Sequence, residues 1–145
     1  MPDKYMLTMN EEQADITIKA LDLYTRLRIG QWEELAELCI YFEPKNIDDY
    51  CEKRDTAREI LLAARRVVMP ELTRGASFGV YKFPETERAF NVLKAVRSAR
   101  AWHNNPQGGW TVDFDRPRAI NVAEEMPACE VVNDAGQKTG DTGTD

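Results

Sequence analysis

The chain has one histidine, His103, and three cysteines, Cys39, Cys51 and Cys129, an odd number with no CxxC spacing. That scarcity argues against a disulfide framework and against a zinc site, which needs several ligands in paired clusters. It also closes most catalytic schemes built on imidazole, because no serine or cysteine nucleophile stands in a recognisable frame with His103. Near a helix end, such a histidine more often meets the last carbonyls. Long apolar runs are missing too. Stretches such as Ile60-Leu61-Leu62-Ala63-Ala64 stop at charge within a few residues, so no segment is expected to span a membrane. No basic stretch followed by an apolar one opens the chain, and the expected compartment is the cytoplasm. A sequence pI of about 4.9 disfavours nucleic acid as a partner.

What is present is one ordinary domain's worth of chain: 145 residues, 43% hydrophobic and 30% charged. The net charge of −6 divides into blocks. Residues 1–52 carry 5 basic and 12 acidic side chains, residues 53–103 carry 11 and 5, and residues 104–145 carry 3 and 8. The basic middle block either complements the acidic ends within the fold or marks an interaction surface.

The periodicity predicts a mainly α protein. Asn10-Glu11-Glu12-Gln13 reads as a capping box that opens a helix from Glu11 to about Ile29, with Ile16, Ala20, Leu23 and Leu27 as its stripe and Leu21 and Tyr24 beside it. Trp32, Leu35, Ala36, Cys39 and Phe42 repeat at helical spacing until Pro44. A third helix starts between Ile47 and Asp55, shows Ala57, Ile60, Leu61, Ala64 and Val68 on one face, and stops at Pro70. Pro84 starts a fourth, with Glu85 and Glu87 in its first turn and Ala89, Val92, Leu93, Val96 and Ala99 as its apolar side. Two strand candidates remain, Tyr5–Met9 and Trp110–Phe114. Each lacks another partner, so pairing of residues 5–9 with 110–114 is expected. The predicted architecture is a bundle of about four helices with a minimal two-stranded sheet, spanning residues 1–133. Residues 134–145, rich in Gly, Thr and Asp, read as a disordered tail.

Three constellations compete for function. Glu34-x-x-Glu37 and, after fourteen residues, Glu52-x-x-Asp55 resemble the acidic signature of all-α nucleoside-triphosphate pyrophosphohydrolases, whose carboxylates hold Mg²⁺ at substrate phosphates. Helical geometry points all four away from the expected apolar faces, so the residues read first as a solvated surface. Arg97 and Arg100 lie at the margin of the fourth helix's stripe and call for a carboxylate or phosphate, either an internal partner such as Asp113 or Asp22 or an anionic ligand. Arg65, Arg66 and Arg74 would extend that positive surface. Trp102 reads as an interface anchor or as a cap on the core, whereas Trp110 reads as core. Gly108-Gly109 precedes no helix and is not a phosphate loop.

Ala20-Leu21-Asp22-Leu23-Tyr24-Thr25-Arg26-Leu27-x-x-Gly30-Gln31-Trp32-Glu33-Glu34-Leu35 resembles a group of small bacteriophage and prophage proteins of unknown function. The same group carries an Arg-rich helix, here Val96-Arg97-x-x-Arg100-Ala101-Trp102, then Pro106-x-Gly108-Gly109-Trp110-Thr111-Val112-Asp113-Phe114-Asp115. The likeness covers about residues 5–117. It implies a phage or prophage setting within a bacterial host cell. The expectation is a non-enzymatic accessory protein with no cofactor, binding a host protein or an anionic ligand, with inhibition of an antiviral defence system as one role. A Mg²⁺-dependent all-α nucleoside-triphosphate pyrophosphohydrolase and a protein that sequesters a nucleotide or signalling molecule stand as alternatives, and homo-oligomerisation is left open.

Overall fold

A computed structural model describes residues 2–38 and 46–139. The chain is mainly α, with four α-helices among the described residues: α1 (Glu11–Ile29), α2 (Leu35–Leu38), α3 (Ile47–Val68) and α4 (Pro84–Asn104). Its contacts gather into two compact units, residues 1–22 with 88–145, and residues 23–87. No described helix is long and apolar enough to cross a membrane.

The first unit receives the start of α1. The Asn10 amide donates to Gln13 Oε1 at 3.0 Å and the Gln13 amide to Asn10 Oδ1 at 2.8 Å, the reciprocal capping box that the sequence predicts. The helix ends in the second unit on a left-handed glycine, Gly30 (φ 92°). Gly30 N–H reaches Leu27 O at 3.3 Å and Gln31 N–H reaches Arg26 O at 2.8 Å, the paired bonds of a Schellman stop. The predicted stripe is rotated, however. Ile16 and Tyr24 are exposed, while Ala14, Thr25 and Ile29 are buried with Ile18 and Leu21 half-buried between them. α1 carries two apolar faces at helical spacing. The one containing Ala14, Thr25 and Ile29 is the more deeply buried.

In the second unit Trp32–Glu34 forms a 3₁₀ turn leading into α2, with Trp32 Nε1 donating to Leu27 O at 3.0 Å. Ala36 is buried, and the turn and α2 both pack on α3. Cys39, Phe42 and Pro44, the remainder of the predicted stripe, lie outside the described residues. Asn46 caps α3 by accepting from Asp49 N–H at 2.9 Å. Its predicted face is also displaced: Ile60, Ala64 and Val68 are exposed, and Leu62 and Arg65 are buried. An arginine occupies the centre of that face, which no hydrophobic periodicity registers.

α4 begins on Pro84 as expected and is enclosed on several sides. Ala89, Leu93, Ala95 and Val96 are buried, and so are the polar Asn91, Lys94 and Ser98, while Val92 is exposed. The Asn91 amide group exchanges bonds with the Arg118 backbone, at 3.1 Å to its carbonyl and 3.3 Å from its N–H. This fixes the returning chain along the helix.

The predicted two-stranded sheet is absent among the described residues. Residues 2–10 run without helix, turn or bend, and Tyr5, Met6 and Leu7 stand out at 94%, 99% and 78% exposure. Val112–Phe114 is a 3₁₀ turn. The reason lies in the backbone accounting: the Val112 and Phe114 carbonyls that a strand partner would have engaged are taken by side chains of α4. The single described β-contact is the antiparallel bridge Val132–Lys138, closing a turn in which Asn133 Oδ1 accepts from Ala135 and Gln137 N–H.

Candidate partner-binding loop

The C-terminal half of α4 and the chain that follows it form the best-defined polar arrangement of the first unit. After the helix ends, Gly108 N–H bonds to Asn105 O at 2.9 Å and Asn105 Nδ2 to Gly108 O at 2.7 Å. Gly108 has φ 82°, and a Cβ there would stand 2.9 Å from the Trp102 ring. A Cβ on Gly109 would run into the ring of Phe114. The Gly-Gly pair is therefore a seat for two aromatic rings. Those rings meet edge to face, with centroids 5.3 Å apart at 89°, and the Arg116 guanidinium lies 6.0 Å over Trp102.

From beneath, α4 holds the loop at three points. Arg97 pairs with Asp113 at 3.4 Å and donates to Val112 O at 3.4 Å. Trp102 Nε1 donates to Phe114 O at 3.2 Å, and Ser98 Oγ reaches the same carbonyl at 3.5 Å. Thr111 Oγ1 bonds to Asp113 Oδ2, and the Phe114 and Asp115 amides turn back to Thr111 and Val112. The outcome is a bonded loop that carries two apolar side chains outward, beside the exposed Thr111, Asp113 and Asp115. Trp110 is fully exposed and Val112 is 63% exposed. Trp110 was expected in the core. It faces out because the loop turns at Val112–Phe114 and places Phe114, not Trp110, against Trp102.

Of the other predicted site residues, Arg100 shares α4 but pairs with Glu11 at 3.6 Å and Asp15 at 3.8 Å. The Asp15 carboxyl is held below its usual range first by the Lys19 hydrogen bond and also by Arg100. Arg65, Arg66 and Arg74 belong to the second unit. Arg65 is no surface residue: at 1% exposure it donates to Gly30 O (2.8 Å), Thr73 O (2.9 Å) and Ala76 O (2.9 Å). Three carbonyls left over by a helix stop and a loop need a donor fork, and arginine supplies one. Arg66 is exposed, and Arg74 makes a two-point pair with Glu59, whose carboxyl it holds low.

The four carboxylates of the Mg²⁺ pattern are not gathered. Glu37 pairs with Arg58 at 2.9 Å, Asp55 with Arg54 at 2.9 Å and Glu34 with Arg26 at 4.0 Å. Glu52 borders a shallow hollow of about 410 Å³ with Asp49 and Lys53. No set of three or more potential metal ligands comes together among the described residues.

A second hollow of about 290 Å³, in the first unit, is lined by Ala99, Trp102, His103, Cys129, Val131 and Thr139. Thr139 Oγ1 donates to Val131 O at 3.1 Å and lies 3.0 Å from His103 Nδ1. Burial, then the neighbouring Glu130, pushes the Cys129 thiol up, so the sulfur stays protonated and is a poor nucleophile.

Comparison with protein families, with curated proteins and with solved structures finds no match.

Sequence reasoning singled out Arg97 and Trp102 and offered Asp113 or Asp22 as an internal partner for Arg97 and Arg100; Asp113 is the one that pairs with Arg97. It missed the display of Trp110. The available signal was Gly108-Gly109, two positions without side chains directly before a tryptophan, where close ring packing needs them.

Proposed function

We infer that the chain is a non-enzymatic binding protein whose recognition element for a protein partner is the loop 108–115. The observation that carries this is a tryptophan left wholly in solvent on a loop clamped by Arg97, Ser98 and Trp102. An apolar side chain that large costs free energy in water unless something covers it, and a loop already fixed loses little entropy on binding. Tryptophan is also among the residues that dominate interface energetics. A small-molecule role is less well supported, since Arg97 and Arg100 already face carboxylates of the chain itself. The resemblance to small phage and prophage proteins supplies the setting: a component of a bacterial host, with an antiviral defence protein as the first class of partner to screen. The test is capture from bacterial lysate with wild type and Trp110→Ala. Wild type should retain a stoichiometric protein that Trp110→Ala loses, at equal melting temperature. Equal capture by both removes the reading.

A further inference from the structure

A second feature of the first unit goes beyond that loop: the segment before α1. Tyr5-Met6-Leu7-Thr8 has no helix, turn or bend, and three consecutive large apolar side chains lie in water. Among the described residues, none of its backbone N–H or C=O groups has a hydrogen-bond partner. Yet the segment is held at both ends. Lys4 Nζ meets Glu125 at 2.7 Å, Met9 is half-buried with its Sδ 3.3 Å from Thr17 Oγ1, and Asn10 is locked in the α1 capping box.

We propose that this arm binds by adding as a β-strand to the exposed sheet edge of a partner protein. The proposal rests on the partner-binding reading and names the kind of surface involved. Covering Tyr5, Met6 and Leu7 in an apolar groove alone would also bury the backbone between them without partners, which costs more than the side chains return. A sheet edge removes that cost, because it presents N–H and C=O groups at the spacing an extended chain needs. Side chains of a strand alternate, so Tyr5 and Leu7 would face one side of the joined sheet and Met6 and Thr8 the other. Two of the four residue types favour it: Tyr5 and Thr8 suit a pleated surface, and Met6 and Leu7 supply apolar area.

The occupant is a different protein rather than a second copy. Two arms paired only with each other would make a ribbon of about five residues per strand with nothing to pack on, which is marginal in water. The chain's own described β-contact is a single bridge and offers no sheet to join. Asp3 and Lys4 before the arm, and Glu11 and Glu12 after it, are charges that oppose open-ended stacking of like arms.

The test uses the full chain, tagged at its C-terminus, against bacterial lysate, with Leu7→Asp and Trp110→Ala in parallel. Neither side chain is buried, so both variants should fold. Leu7→Asp should cut recovery of the wild-type partner about thirty-fold, the loss of one hot-spot residue. In the recovered complex, amide exchange should slow at alternate residues, 5 and 7 or 6 and 8, because a strand added at one edge engages only every second residue. Capture that survives Leu7→Asp but not Trp110→Ala overturns the arm and keeps the loop; the reverse keeps the arm and removes the loop. Uniform or absent protection across residues 5–8, a partner that proves to be a second copy, or no captured protein at all overturns the arm.

Discussion

Two loops of this molecule are built by the same device and differ in what they show to solvent. After α3, Arg65 reaches out of the helix end and binds the carbonyls of Gly30, Thr73 and Ala76. After α4, Arg97, Ser98 and Trp102 reach out of the helix and bind the carbonyls of Val112 and Phe114. In the first case the guanidinium is sealed, and the loop's aromatic pair, Phe78 and Phe83, is half-buried, edge to face at 5.6 Å. In the second the clamp is at the surface, and the loop's largest side chain, Trp110, is left outside. Exposure of Trp110 is thus no sign of slackness. A loop can be as well bonded as a buried one and still present an apolar residue, which separates a recognition element from a frayed end.

The sharpest way to break the comparison is at the buried arginine. Arg65→Met should lower stability by about 4 kcal/mol in a urea melt, since several carbonyls lose a charge-assisted donor that water cannot replace. A loss under about 1 kcal/mol would mean that the loop closes without it and that the two loops are not alike. Next in size is Gly30→Ala, at about 2 kcal/mol: the residue sits at φ 92°, and its Cβ would collide with the Leu72 side chain and press on Met69 Sδ at 3.3 Å. Gly108→Ala, at φ 82° but facing the half-exposed Trp102 ring, should cost about 1 kcal/mol, because that ring can swing outward. Equal effects at the two glycines, read by thermal denaturation, would say that the Trp102 seat is as rigid as the Arg65 junction.

How much of this is legible in the sequence follows the same division. Local chemistry can be read: the Asn10–Gln13 box, the start of α4 at Pro84 and the end of α1 at Ile29 depend on residues close in sequence, whereas the Arg97–Asp113 pair joins a helix to a later loop and is read only as one of two acidic partners, Asp113 or Asp22. Faces cannot be read so well. α1 has two apolar stripes, and the choice between them is made by packing against distant residues. On α3 the deciding buried residue is Arg65, which every hydrophobic count places outside. The sheet between residues 5–9 and 110–114 fails for a related reason. Alternation at Trp110, Val112 and Phe114 is a strand pattern, but donors 12 to 16 residues away on α4, at Arg97, Ser98 and Trp102, capture the carbonyls first.

Lys94 sharpens the contrast on the helix that carries the second clamp. It is 8% exposed, lies 5.0 Å over the Phe90 ring and feels Asp115, yet it donates no hydrogen bond to the loop among the described residues. Burial lowers its affinity for a proton, with Asp115 only partly opposing and Arg118 and Arg97 adding to the shift. Lys94→Met should therefore be neutral or stabilising by about 1 kcal/mol at pH 7. The sign with pH follows: below the lowered folded value both states carry the charge and the burial cost is fully present. Stability then rises as pH climbs from that value toward the ordinary lysine value of 10.5. Stability curves of wild type and Lys94→Met measured against alkaline pH should converge. Parallel curves would show that Lys94 is solvated.

The smallest expected change in stability is at the outer rim of the loop. Had residues 110–114 been a strand over the core, Val112→Asp would unfold the protein while Thr111→Lys would be mild. In the structure Val112 is 63% exposed and bonds through its carbonyl, which any side chain leaves in place. Val112→Asp, Thr111→Lys and Trp110→Ser should then each shift stability by less than about 0.5 kcal/mol in paired circular-dichroism melts. Val112→Asp should be the worst of the three, because it sets a third carboxylate beside Asp113 and Asp115 and weakens the hold of Arg97 on Asp113. That difference should shrink in added salt, as a surface repulsion does. A loss of several kcal/mol at Val112 alone, insensitive to salt, would restore a buried strand and remove Trp110 from the exposed surface with it.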